Sequence, residues 1–238
     1  MALVLNGAHS DGASSLVQRA VDAVNAHMLK HELKVGDTLP GEGHFAEQLG
    51  VSRAVMREAF GALAALRLID VGNGRRPRVG AIDGSVMGAS MSHAVTTKQV
   101  TVAEVWDVRR TLELRTAELA ARNRTDEQVR TIIAEADAMM AAGEDLEKVT
   151  FHDIRLHQAI SQASGNMLLI QIIRSFEPLM HVAVPAAWHT RETKAQRQTV
   201  LEQHRHLAEM IAIGDANAAS AAMHAHFERS IGSILESL

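Results

Sequence analysis

The chain of 238 residues has no cysteine and no tyrosine, and aromatic residues make up only 3% of it. The lack of cysteine excludes disulfide bonds and thiol chemistry, and nothing in the composition indicates an oxidising compartment. No apolar run approaches the ~18 residues of a membrane-spanning helix. The first residues lack a basic segment followed by an apolar core, so we expect no signal peptide, no membrane contact and a cytoplasmic location.

Aliphatic residues are abundant instead, and alanine, leucine, isoleucine and methionine dominate the apolar set. These residues favour packed helices over sheets, so we expect a mainly α protein. After Val79 no dependable strand pattern follows, and from Thr101 the sequence predicts an all-α helical bundle. The predicted helices are 101–123, 126–142, 145–164, 167–187, 191–213 and 215–236.

Residues 39–59 predict a short helix, a turn at Gly50–Ser52 and a second helix that begins with Ser52 and Arg53. This is the layout of a helix-turn-helix that binds DNA. Ser52 is a suitable N-cap. Arg53 and Arg57 lie four residues apart and share one face, where they suit guanine edges and phosphates. The alternative is an ordinary helical hairpin with solvated arginines. The opposite, apolar face is expected to hold Val51, Val55, Ala59 and Leu63.

A two-stranded wing is predicted directly after this helix. Residues 68–71 and 75–79 have strand patterns on either side of a Gly–Asn–Gly turn. Arg75, Arg76 and Arg78 on the second strand suit a DNA backbone or minor groove. Residues 51–80 contain six arginines and two acidic residues, whereas the whole chain has a net charge of −4. This local basic patch favours nucleic-acid binding.

Residues 16–80 resemble the winged helix-turn-helix domain of GntR-type bacterial transcription regulators. The resemblance rests on Gly36–Pro40, Glu42, Ala46, Leu49–Arg53, Arg57–Ala59, Leu63 and Leu68–Ile69. One departure is Gly43, where the family usually has an arginine. The resemblance implies a fold of one winged helix-turn-helix domain followed by the helical bundle.

Histidine is the second informative residue type, with 13 in the chain. Asp153 and His157 have the i, i+4 spacing that places both on one helix face, and His204 and His226 lie on two later predicted helices. One carboxylate and three imidazoles from three helices suit a first-row divalent metal. A solvated Asp–His pair is the alternative. By chemistry alone three further histidines are equally available: His152, His206 and His224.

Residues 101–230 resemble the FCD-type C-terminal domain of the FadR subgroup of GntR regulators. The matching segments are Val108–Glu113, Asp153–Ile160, Ser164–Asn166, Gln203–His204 and His226. The resemblance implies a metal bound by Asp153, His157, His204 and His226, and a set of three imidazoles and one carboxylate suits zinc or nickel. It also implies that Arg109 binds the carboxylate of an effector in the same cavity. The alternative for Arg109 is an intrahelical ion pair with Glu113.

Four regions follow from these patterns. They are a flexible leader (1–14), the DNA-binding domain (15–82), a linker (83–98) and an all-helical domain for metal, ligand and dimer contacts (99–238).

Together the two resemblances imply a metabolite-responsive repressor rather than an enzyme. As a homodimer it would bind palindromic operator DNA, with a small carboxylate metabolite near the metal as effector. One alternative is a metal sensor, in which the ion is the signal. A metal-dependent hydrolase with a DNA anchor is a further alternative, but it lacks an HExxH-type segment, and Glu202 is the nearest candidate base.

Overall fold

The computed structural model describes residues 8–72 and 74–235, with side chains described for 16–72 and 74–229. The chain divides into two compact units, Met1–Val86 and Met87–Leu238. The helices are α1 (Ala8–Lys30), α2 (Glu42–Leu49), α3 (Arg53–Ala65), α4 (Ser85–Thr96), α5 (Val102–Asn123), α6 (Asp126–Ala142), α7 (Leu146–Ala163), α8 (Met167–Ser175), α9 (Glu177–His189), α10 (Lys194–Ile213) and α11 (Ala216–Leu235), and the strands are β1 (Ile69–Asp70) and β2 (Arg78–Val79).

In the first unit, α1 and α2 pack against α3 around one apolar core. Gly50, at φ 64°, ends α2 in the left-handed conformation that glycine adopts at little cost, and α3 starts three residues later. The face that α3 buries is Met56, Ala59, Phe60 and Leu63, with the i, i+3, i+4, i+7 spacing of an amphipathic helix. It differs from the predicted stripe, because Val51 and Val55 are only partly buried.

The wing is an antiparallel pair in which Ile69 faces Val79 and Asp70 faces Arg78. Both strands are shorter than predicted. Pro77 has no N–H to donate to a ladder, so residues 75–77 lie outside the second strand. Asn73 of the predicted turn lies outside the described residues. The base of the wing is held by Leu39, whose N–H donates to the carbonyl oxygen of Pro77 at 2.8 Å.

The second unit is the predicted helical bundle. Helix α5 packs against α11 and α7, and α6 packs against α7 and α10. Capping boxes begin three of these helices, at Thr101, Thr125 and Thr193, so the local sequence fixes their starts. The mainly α fold, with a small wing after the helix-turn-helix, is therefore confirmed.

One of the predicted helices is divided into two in the structure. The segment expected as 167–187 breaks at Phe176 into α8 and α9, which are bent by 56°. Pro178 explains the break, because in a continuous helix its ring would clash with the carbonyl oxygen of Arg174. No single helix among the described residues is long and apolar enough to cross a membrane. The bent pair passes that test by length and composition, but its Ile173 and Met180 belong to the bundle core.

Two segments expected to be irregular contain helix. The region expected as a linker, 83–98, contains α4, and Gly88 lets this helix approach the bundle closely. A Cβ atom at Gly88 would lie 2.9 Å from the carbonyl oxygen of Ser175. Within the region expected as a leader, α1 already begins at Ala8, and residues 1–7 lie outside the described residues.

Candidate functional site

Two arginines of α3 are exposed to solvent. The hydroxyl of Ser52 accepts from the N–H of Val55 at 3.3 Å and caps the helix, so that Arg53 lies in its first turn. Arg57 lies one turn later. Its Nε atom is 3.8 Å from a carboxylate oxygen of Glu42, but the arginine side chain is 79% exposed. Such a pair contributes little to stability and leaves the guanidinium accessible to a partner.

The three arginines of the wing are also exposed, but they differ in their contacts. Arg78 donates from Nη1 to the carbonyl oxygen of Gly36 at 2.7 Å, and its backbone pairs with Asp70. Arg75 and Arg76 lie in the segment between the strands. Arg78 therefore also stabilises the base of the wing, whereas Arg76 has no hydrogen bond or ion pair among the described residues.

Three buried histidines meet inside the bundle. His157 of α7, His204 of α10 and His226 of α11 each offer a ring nitrogen, and these nitrogens all lie within 4.8 Å of one another. Asp153, one turn before His157, joins the group through His204: its Oδ1 atom lies 3.0 Å from His204 Nε2. The structure therefore brings together all four residues for which the sequence predicted a metal.

The other histidines considered are elsewhere. His152 pairs with Glu135 at 2.8 Å, and His206 and His224 are exposed. Burial and convergence therefore separate the four residues from their neighbours in the sequence, which spacing alone did not do.

The rings of His204 and His157 are each oriented for metal binding by a hydrogen bond at Nδ1, which leaves Nε2 for the ion. His204 Nδ1 contacts the carbonyl oxygen of Val200 at 2.8 Å, and a carbonyl only accepts, so this nitrogen carries the hydrogen. In the neutral ring the lone pair is then on Nε2, which faces Asp153. A lone pair and a carboxylate oxygen 3.0 Å apart repel each other unless a proton or a metal ion lies between them.

His157 has the same arrangement, with Nδ1 bonded and Nε2 available. Its Nδ1 atom bonds to a carboxylate oxygen of Glu113, and its buried Nε2 atom has no hydrogen-bond partner among the described residues. A carboxylate behind a metal-binding histidine is a common arrangement, because it fixes the tautomer and raises the basicity of the ligating nitrogen. The donor set therefore fits a divalent ion.

The pKa shifts of His226 and Asp153 fit as well. Burial and the neighbouring imidazoles of His204 and His157 lower the pKa of His226 well below its ordinary value. Burial alone would raise the pKa of Asp153, but the contact with His204 and nearby positive charges hold it below its ordinary value. A neutral His226 and an ionised Asp153 are the forms that bind metals.

Arg109 and Glu113 of α5 form a buried ion pair beside this group, with side chains 2% and 1% exposed. One oxygen of Glu113 accepts from Arg109 and the other contacts His157. The structure thus contains the intrahelical pair that the sequence left as the alternative for Arg109. The sequence predicted Glu113 only as the partner of Arg109. Its contact with His157 joins two residues that are 44 positions apart, and no local pattern indicates such a contact.

A small cavity lies beside the histidines, with Arg109, Trp106, Asp153 and Arg191 on its wall. Its volume is about 20 Å³, which holds about one water molecule or ion. Arg191 follows α9 and is 8% exposed. No sequence pattern singles out Arg191, because it lies in a short connection without a motif. A small organic acid would require the cavity wall to move.

Two family profiles match the chain. The one described as bacterial regulatory proteins, gntR family, matches residues 16–79, and the FCD domain matches residues 104–229. The first covers the helix-turn-helix and the wing, and the second covers the helices that carry the histidines. Both resemblances inferred from the sequence are confirmed.

Relatives of known function cover most of the chain. It is 31% identical over 207 residues to the HTH-type transcriptional regulator LutR of Bacillus subtilis (strain 168), which covers 84% of this chain and 92% of LutR. It is 29% identical over 195 residues to the Glc operon transcriptional activator of Escherichia coli (strain K12), covering 78% and 77%. Both names describe regulators of transcription.

Among solved structures, Streptococcus agalactiae GntR matches with a TM-score of 0.61 and 24% identity, over 89% of this chain and 97% of that chain. At this identity the likeness concerns the fold, and it agrees with a winged helix-turn-helix followed by a helical bundle.

Proposed function

We propose that this chain, which belongs to the GntR family of bacterial regulatory proteins and carries a C-terminal FCD domain, controls transcription in response to a small metabolite. Members of the family regulate transcription and are not enzymes. The observation that carries the proposal is one chain with two sites of different kinds: exposed arginines on a winged helix-turn-helix and a buried histidine group in a bundle. Such a protein would act in the cytoplasm, where bacterial operators lie.

For DNA, we assign the major groove to Arg53 and Arg57, and a phosphate contact to Ser52 at the start of α3. Arg75, Arg76 and Arg78 would bind the backbone or the minor groove. The support is their exposure, and among the described residues they form no close ion pair that would compete with phosphates. Anisotropy titrations with a labelled fragment of the promoter that precedes the chain's own gene would measure the affinity.

We also propose a homodimer, because a palindromic operator mirrors a two-fold axis and one winged domain contacts few phosphates. Light scattering at micromolar concentration should give about twice the chain mass of 25.8 kDa. A monomer that binds one operator with full affinity would contradict the proposal.

The metal proposal assigns Asp153, His157, His204 and His226 as ligands, with zinc or nickel as the ion. When bound, the ion would supply a Lewis acid for a carboxylate or hydroxyl oxygen. The chain's residues contribute the fixed tautomers of His204 and His157 and the surrounding apolar walls that limit water. Elemental analysis of protein purified without chelators should find about one ion per chain.

The effector would be a small organic acid that enters beside the metal, with Arg109 as a predicted contact. Because Arg109 is paired with Glu113, the acid must compete with that carboxylate. Ligand binding would change the equilibrium between two arrangements of the dimer and so change operator affinity. Relief of repression is the expected sign, and a rise in operator affinity with the acid would instead indicate an activator.

A second candidate, a metal sensor, is favoured by one observation: the cavity has room for an ion but not for an acid. Dialysis distinguishes the two functions. In the effector model the ion survives dialysis and operator affinity changes only with the acid. In the sensor model the ion leaves readily, and its return alone changes operator affinity.

A further inference from the structure

Arg191 brings a second positive charge to the cavity. Its Nη1 atom donates to the carbonyl oxygen of Ala187 at 2.5 Å, and no carboxylate among the described residues forms an ion pair with it. The carboxylate whose charge acts on Arg191 is that of Asp153, which faces His204. A guanidinium that is 8% exposed and paired only with a carbonyl oxygen is costly, and an anionic ligand would offset that cost.

Trp106 gives an independent observation on the same wall. Its side chain is 4% exposed, and its indole Nε1–H has no hydrogen-bond partner among the described residues. Buried indole N–H groups normally find an acceptor. The cavity thus offers an unused donor as well as a cation, and both suit the oxygens of a carboxylate.

Arg109 is different, although it faces the same cavity. Its charge is balanced by Glu113, and its guanidinium lies 4.9 Å from the centre of the Trp106 ring. Of the two arginines, Arg191 is therefore the one with charge available to a ligand.

The charges around the cavity indicate how many negative charges the ligand carries. When the imidazoles are neutral, the two positive charges of Arg109 and Arg191 balance the two negative charges of Asp153 and Glu113. A divalent ion on the histidines leaves two positive charges uncompensated. A dianion neutralises them, whereas a monoanion leaves one positive charge in a site of low dielectric constant.

We infer that Arg191 and the indole N–H of Trp106 bind one carboxylate of a short dicarboxylate whose other end meets the metal. This inference rests on the proposed function, which requires an acid effector, and it names the class of that acid. The volume of about 20 Å³ favours the shortest members, because each added carbon displaces more of the wall.

The test compares a dicarboxylate with a monoanion of the same shape. Zinc-loaded full-length protein is titrated calorimetrically with malonate and with malonamate, its monoamide, and zinc content is checked afterwards. The same is done with succinate and succinamate. We expect the better dicarboxylate to bind at least about tenfold more tightly than its monoamide, since a charge-assisted hydrogen bond is lost in the latter.

Variants then assign the effect to a residue. Arg191→Gln should weaken the dicarboxylate at least about tenfold and leave the monoamide nearly unchanged, with zinc retained. Arg191→Lys should keep part of the preference. Trp106→Phe, which removes the donor and keeps an aromatic ring, should weaken both acids. Arg174→Gln, an exposed arginine on α8, is the matched control and should change nothing.

The outcomes separate this inference from the proposed function. If malonamate or succinamate binds as tightly as its dicarboxylate, the dianion assignment is wrong while the acid effector stands. If Arg191→Gln binds the dicarboxylate like the parent, Arg191 is not the anion site. If none of these acids binds the zinc-loaded protein, the inference is wrong, whereas the effector model fails only if removal and return of the ion alone change operator affinity.

Discussion

The arginines proposed to contact DNA are exposed, whereas the charged groups at the centre of the bundle are buried and contact one another. Arg57 is 79% exposed and 3.8 Å from its nearest carboxylate, but Arg109 and Glu113 are 2% and 1% exposed and in direct contact. An exposed charge costs little to fold and stays available to a partner. A buried charge is tolerated only with partners that match it.

This difference predicts how the two regions respond to mutation. Removing an exposed arginine should change DNA affinity and leave stability almost unchanged. Removing a member of the buried group should change stability and metal content first, because its partners lose the contact that compensates their burial.

His204→Ala should have the largest effect. It removes one proposed ligand and the contact with Asp153, so the protein should lose its ion and with it about 4 kcal/mol of stability at an ion concentration a thousandfold above Kd. Calorimetric unfolding with and without zinc measures this. The response to an acid should also disappear, while the winged domain still binds DNA non-specifically.

His206→Ala is the matched control, because this histidine is two residues away and exposed. It should retain the ion and the melting temperature of the parent. An ion content of one per chain in His204→Ala would show that His206 or His224 had been wrongly passed over.

Arg57→Ala should cost about 1–3 kcal/mol at the operator if the side chain contacts a base edge. The melting temperature should be that of the parent, since the pair with Glu42 is exposed. Arg122→Ala, an exposed arginine of the bundle, serves as the control. Unchanged operator affinity in the double variant Arg53→Ala/Arg57→Ala would exclude α3 as the recognition helix.

Arg76→Ala should weaken binding to all DNA sequences by a similar factor and lower the slope of log affinity against log salt by about 1. The reason is that a wing arginine on a phosphate releases a counterion but distinguishes no base. Titrations at several salt concentrations, with operator and random duplexes, provide the measurement. A loss confined to the operator would assign Arg76 to a base contact instead.

The sequence predicted the exposed region better than the buried one. Ser52 and Arg53 lie beside each other, so a local pattern located the cap of α3 and its exposed arginines, although the buried face differs from the predicted one. Capping boxes, which are also local patterns, start the helices after Thr101 and Thr125. Pro178 explains the one helix break that the apolar periodicity did not predict. Local chemistry decides such features, and local chemistry is visible in a sequence.

The buried centre depends on contacts between distant residues. Spacing suggested Asp153 and His157, and resemblance was needed to choose His204 and His226. Glu113 and Arg191 were missed as parts of the site, because their roles depend on neighbours that only the packed bundle brings close. An i, i+4 arginine–glutamate pair on a solvated helix has the same sequence as a buried one.

The smallest expected effect concerns pH and compares one histidine from each region. Burial lowers the pKa of His226, and partial burial followed by the charges of His31 and His44 lowers that of His27. In both cases the unfolded chain binds a proton more readily than the folded one. Stability should therefore be fully present above the ordinary value of 6.5 and be lost as pH falls below it.

Chelator-treated protein should thus unfold at progressively lower temperature from about pH 6.5 downward, and the loss should be greater in the bundle, because His226 is the more deeply buried of the two. His226→Gln should flatten the decline of the bundle transition, and His27→Gln should flatten that of the winged domain only slightly. Circular dichroism melts between pH 5 and pH 7 measure both, above the range in which carboxylates titrate. An equal decline in His226→Gln and the parent would show that protonation at the bundle centre does not limit stability there.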